Sequence, residues 1–133
     1  MPFRLEHCTP SDMPRLFELI SLSFAHEHEY IEAVFPAHDT PAGRAAGAER
    51  MLATMESDMY ATFLKVVDDE GEMIAGAKWN LYDGTIPPEI DVSGDYWESE
   101  EEKEYAAHMF RMYLGPRRKA IRESGGRLLC EWF

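Results

Sequence analysis

Apolar positions along the chain change period several times, and each change marks an element. FRLEHC, residues 3–8, alternates well enough for a first strand. TPSD follows, with Thr9 able to cap, Pro10 suited to a first helical position and Asp12 three residues after the cap. Met13, Leu16, Phe17, Ile20 and Phe24 then recur at helical spacing, predicting a helix that weakens near AHEHEY and ends before Pro36. Thr40-Pro41 starts a second helix with Ala45, Ala48, Leu52 and Met55 on its apolar face, weakened by Gly43 and Gly47. ATFLKVV (61–67) and MIAGAKWNLY (73–82) flank the polar turn DDEGE and predict a β-hairpin. Residues 83–97 contain too many breakers for regular structure. Ser99 and Glu102 form a capping box for a long helix carrying Tyr105, Met109 and Met112. Gly115-Pro116 is expected to break or kink that helix, with Pro116 opening a further turn or two before Gly125. RLLCEWF (127–133) is the last strand. The order β-α-α-β-β-α-β predicts one α+β domain over 1–133, built on a mainly antiparallel four-stranded sheet flanked by helices.

Composition narrows the partners. The chain has 133 residues, enough for one core, and a formal net charge of −12. That field repels phosphate backbones, so neither nucleic acid nor an anionic membrane surface is an expected partner. No stretch approaches 18 apolar residues and MPFRLEHCTP has no apolar leader core, so a cytoplasmic address is expected. Cys8 and Cys130 make no disulfide framework and are expected to be reduced and buried. The eight methionines read as adaptable core filler.

Candidate chemistry centres on HEHEY, residues 26–30. On a helix His26 and His28 point about 200° apart, which spoils joint metal ligation. His28 and Glu32 could share a helix face, but this is not HExxH and no third ligand follows at a recognised spacing; no metal is expected. Histidine does titrate near neutrality, which suits it to acid–base work. Trp79, Tyr82 and Tyr30 are candidates for an aromatic wall around a small ligand. His108 is expected at the surface, and His7 and His38 are left unassigned. The acidic run ESEEEKE (98–104) is a solvated helix start, and the basic set Arg111, Arg117, Arg118, Lys119, Arg122 and Arg127 is expected to pair with it.

Several of these segments together resemble one family. MPFRLEHCTPSDMPRL, the FP at 35–36, FLKVVDDEGEMIAGAKW and GPRRKAIRESGGRLLCEWF are similar to the GNAT superfamily of acetyltransferases, in the form common among fungal proteins. The likeness covers nearly the whole chain but only about the N-terminal half of a full family member, and IAGAKW (74–79), matching the third strand, is its most specific piece. It implies that the four strands lie in chain order, with 127–133 at an edge and Cys8 about 14 Å from Cys130, too far to bridge. It also implies that the end of the first helix borders the acceptor pocket, where His26 and His28 would act as proton carriers. Glu131 falls where the family's fourth strand often carries a general base, whose pKa would rise if buried. The family binds acetyl-CoA through a glycine-rich loop after that strand, a cradle of backbone N–H groups for the pyrophosphate. These residues stop before it.

The resulting expectation is a GNAT-like protein shortened after its fourth strand, without acetyl-CoA binding. It would use the acceptor-side pocket on a small organic molecule, in cofactor-free acid–base chemistry of isomerase, lyase or cyclase type within a fungal biosynthetic pathway. One alternative is an N-acetyltransferase whose CoA-binding half comes from another chain or lies outside these residues. The other is a non-enzymatic dimeric binding module. An edge strand carrying Leu128, Leu129, Trp132 and Phe133 would need a cover, so a homodimer through 127–133 is expected.

Overall fold

A computed structural model describes residues 2–133. Strand β1 (Arg4–His7) leads through a 3₁₀ turn (Pro10–Asp12) into α1 (Met13–Phe24), α2 (Glu29–Val34) and α3 (Pro41–Ser57). Strands β2 (Ala61–Val67) and β3 (Met73–Asp83) form the hairpin, and α4 (Glu100–Glu123) connects to β4 (Arg127–Glu131). The sheet order is β1-β2-β3-β4 with every neighbour antiparallel, so β1 and β4 are its edges. This is the α+β arrangement with an antiparallel four-stranded sheet expected from the hydrophobic pattern, and the strands lie in chain order. Cys8 and Cys130 are free and half-buried rather than fully buried.

One face of the sheet carries the helices. Phe63 stands opposite Lys78, so both point to the same side, as do Asn80 and Tyr82 further along β3. Against that side α1 buries Met13, Leu16, Phe17 and Ile20, and α3 buries Gly47, Ala48 and Met51. The α3 face is rotated from the expected one: Ala45 is exposed, and Gly47 is buried. A Cβ at Gly47 would overlap the Phe17 ring, and one at Gly43 would overlap the Ala37 carbonyl. The two glycines therefore set how closely α1 and the 35–40 loop approach α3, which outweighs their cost in helix propensity. Trp79 and Leu81 alternate to the other face, opposite Glu131 and Leu129. That face is largely open, with Leu5, Leu81 and Leu129 exposed.

Two local expectations are corrected. The first helix does not fade gradually: it stops at Phe24, where Ala25 takes a positive φ of 48°, and a new six-residue helix starts at Glu29. The long helix α4 runs through Pro116 instead of breaking there. Proline removes the N–H that would bond the Met112 carbonyl, but Met112 is exposed, so water can serve that oxygen. The buried positions of α4 are Ala106, Leu114 and Ile121, while Tyr105 and Met112 face solvent. Ser99 does cap this helix, its Oγ accepting from the Glu102 N–H at 3.1 Å.

Candidate functional site

A cleft of about 720 Å³ lies between α2, α3, α4, the 84–97 loop and the ends of β3 and β4. Its walls are assembled from distant segments. His28 is the N-cap of α2, with extended backbone angles, and its carbonyl takes the first helical bond from the Glu32 N–H at 3.0 Å. Two residues later Tyr30 lies against Tyr113 of α4, ring centroids 4.2 Å apart and nearly parallel. The His28 imidazole meets Phe24, Tyr30 and Tyr113 edge-on. Burial pushes the Tyr30 hydroxyl up to about 12, with Tyr113 adding to it, so it stays protonated and acts as a wall.

Arg50 of α3 holds this wall in place. Its guanidinium donates to the Val34 carbonyl at 2.6 Å, satisfying an orphan acceptor at the end of α2. It also lies over the Phe35 and Tyr96 rings, 4.3 and 4.5 Å from their centroids. The 84–97 loop is fixed to α2 by the Trp97 indole, which donates to the Ala33 carbonyl at 2.8 Å. Contrary to expectation, the basic residues of α4 serve this loop and not the acidic run at 98–104. Arg111 pairs with Asp91, Arg122 with Glu89, and Arg118 donates to the Ile90 carbonyl.

The floor holds the chemistry. Lys78 of β3 is buried, with its ammonium 3.5 Å from Asp58 and 4.1 Å from the centre of the Trp132 ring. Arg117 of α4 stacks on the same indole, also at 4.1 Å. Burial pulls the Lys78 pKa down; Asp58 opposes this, and Arg117 adds a further push downward. Asp58 is held in turn by the Asn80 amide at 3.0 Å, and that amide also donates to the Tyr82 hydroxyl. Three buried polar atoms on this cleft have no protein partner: His28 Nδ1, an Arg117 guanidinium nitrogen and the Trp132 indole N–H. Buried polar groups in folded proteins are nearly always paired, so three on one concavity point to something that enters it. Cys130, opposite Asn80, has its thiol pKa raised by burial, which disfavours the thiolate.

Of the residues selected from sequence, His28, Tyr30 and Tyr82 share this cleft. His26 does not. It is exposed and turned into a separate cluster, hydrogen-bonded to Glu32 and Asp39. Glu131 is exposed on the open sheet face beside Trp79, not buried, and neither residue lines the cleft. Sequence reasoning missed Lys78, Arg117, Trp132 and Asp58. The one available signal was Lys78 itself, a cation between apolar residues in a strand. The unassigned His38 is almost fully buried, at 1% exposure. No helix is long and apolar enough to cross a membrane among the described residues. Compared with models of protein families and with curated proteins, the chain matches none.

Proposed function

We propose that the cleft binds a small organic anion with an apolar body and that the protein moves a proton on it with its own side chains, chemistry of the isomerase, lyase or cyclase type. The observation that carries this reading is that three residues lining one cleft, beside a buried lysine, each carry a buried polar atom without a protein partner. Two of the three, on Arg117 and Trp132, are donors, and they suit a carboxylate or an enolate oxygen. Tyr30, Tyr113 and Phe110 supply a flat apolar wall for the rest of the molecule.

A consistent division of labour follows. A lysine whose ammonium is disfavoured by burial and a neighbouring guanidinium is the proton acceptor, taking a hydrogen from carbon next to a carbonyl. The charge that develops on the carbonyl oxygen meets the Arg117 and Trp132 donors, held in place before the reaction starts. His28 delivers a different proton to the carbon that receives it, and exchange with solvent then removes the proton from Lys78 and restores the one on His28. The protein would be a relative of the GNAT superfamily working from its acceptor side, a relationship supported by the strand order and the antiparallel pairing.

Incubating the protein with a panel of 2-oxo and 3-oxo carboxylates in D₂O and following loss of the α-proton signal tests this. Exchange above the buffer rate is expected, falling about 10²–10⁴-fold in Lys78→Met. His26→Ala and Glu131→Gln should leave it unchanged, because both residues lie outside the cleft. No exchange with any member, or rates in both Lys78→Met and His28→Ala equal to that of the parent, would contradict the proposal. Binding of acetyl-CoA at micromolar affinity by the isolated chain would favour an acetyltransferase instead.

A further inference from the structure

His26, Glu32 and His38 form a cluster away from the cleft, contributed by the α1–α2 turn, α2 and the loop after it. His26 Nδ1 and His38 Nε2 both lie 2.7 Å from the same oxygen, Glu32 Oε1. The candidate ligand atoms of the three residues are within 4.8 Å of one another. The far nitrogen of each ring already has a partner of its own. His26 Nε2 lies 3.2 Å from the Asp39 carboxylate. His38 Nδ1 lies 2.8 Å from Ser21 Oγ, and that hydroxyl donates to the His38 carbonyl at 2.9 Å.

The proton count decides what this geometry is for. The Ser21 hydroxyl spends its only hydrogen on the His38 carbonyl, so it must accept from His38 Nδ1–H. The Asp39 carboxylate likewise accepts from His26 Nε2–H. In the neutral tautomers so fixed, His26 Nδ1 and His38 Nε2 are both bare lone pairs, and both face a carboxylate oxygen. Three acceptors converge on one point. Only positive charge between them relieves that arrangement, either as protons that turn both rings into imidazolium or as a metal ion. His38 and Ser21 are 1% and 2% exposed, so this side of the cluster is shielded from solvent.

We propose that His26, Glu32 and His38 bind a divalent first-row transition metal ion such as Zn²⁺. Two imidazole nitrogens and a carboxylate are ligands suited to that class of ion. Asp39 and Ser21 are the outer partners that orient the rings and fix their tautomers, the support metal-bound histidines nearly always have. Glu32 and His26 are partly solvent-exposed, with side-chain exposures of 40% and 64%, so both can move outward by the small distance an inserted ion needs. With three protein ligands and a solvent-facing side, the fourth position falls to water or an exogenous ligand. The ion would join the α1–α2 turn, α2 and the 35–40 loop, and so brace the helix whose other side presents His28 and Tyr30 to the cleft.

Titration of the full chain with Zn²⁺ by calorimetry, and with Co²⁺ by visible absorption, tests the site independently of any activity. One ion per chain with a Kd of about 1 µM or tighter is expected, with Co²⁺ giving ligand-field bands of a low-symmetry nitrogen and oxygen site. His26→Ala, a surface change that leaves the buried His38 and Ser21 in place, should abolish the bands. Asp39→Asn should weaken binding about 10–100-fold. Absence of binding below about 100 µM, or binding that His26→Ala and Glu32→Gln leave unchanged, would overturn the assignment and leave the cluster as two imidazolium rings on a carboxylate.

Discussion

Around Phe17 every large side chain meets another, whereas around Tyr82 the same face of the same sheet borders open space. The ring of Phe17 is fully buried, seats on Gly47 with no room for a methyl group between them, and lies 5.1 Å from the Phe35 ring. At the β3–β4 end the helix that should complete the layer, α4, stands off behind the cleft. There the space is bounded by cations stacked on Trp132, by a tyrosine pair and by a loop held through Arg111 and Arg122. The first region is built for stability by complementary packing. The second leaves buried polar atoms without partners, which costs stability unless a ligand supplies them.

The largest expected effect lies in the packed region. Phe17→Ala should cost about 3–5 kcal/mol in urea unfolding, because the cavity is walled by helices that cannot close on it. Lys78→Met should lower affinity for small carboxylates about 10-fold or more, the worth of one hydrogen bond to a charged group, while leaving the urea midpoint close to that of the parent. A stability loss as large as that of Phe17→Ala would mean that the cleft lysine is a structural element after all. Tyr113→Ala, which removes the stack on Tyr30 and the edge contact to His28, should cost about 1–2 kcal/mol, the aromatic-pair term with some lost burial.

The smallest effect is electrostatic and belongs to the packed side. Burial alone would raise the Asp12 carboxyl, but the Lys65 ammonium at 2.8 Å and the Thr9 N–H outweigh it and hold its pKa below the usual carboxylate range. A folded-state pKa below the unfolded value contributes stability that is present above about pH 3.9 and is lost as pH falls through the folded value. Asp12→Asn should therefore remove about 0.5–1 kcal/mol at pH 7 and nothing at pH 2, measured by urea unfolding at both.

What could be read from the sequence divides along the same line. The packed half was legible because its signals are local: the Thr9-Pro10 and Thr40-Pro41 starts, the spacing of Met13, Leu16, Phe17 and Ile20, and the glycine turn between β2 and β3 are each contained in a few residues. Ser99 announced α4 in the same way. The cleft was legible only where a local signal happened to fall on it, at His28, Tyr30 and Tyr82. Lys78, Arg117 and Trp132 meet because β3, α4 and the end of β4 converge, and no spacing along the chain encodes that. His38 stayed unassigned because its partners, Ser21 and Glu32, lie on different elements. Glu131 entered as a base through the family resemblance; alternation put it correctly on the face away from Cys130, but which face carried the helices was not local information.

The three tryptophans offer the most direct test of the cleft. Trp132 lies on its floor, Trp79 stands on the opposite face of the sheet, and the Trp97 indole is committed to the Ala33 carbonyl. In a ¹⁵N–¹H spectrum each indole gives its own signal, and titration with a small aromatic carboxylate should shift the Trp132 signal while the Trp79 signal stays in place, with the shift lost in Lys78→Met. A saturating shift at Trp79 with Trp132 unmoved, or no shift at Trp132 across a panel of such anions at millimolar concentration, would contradict the account.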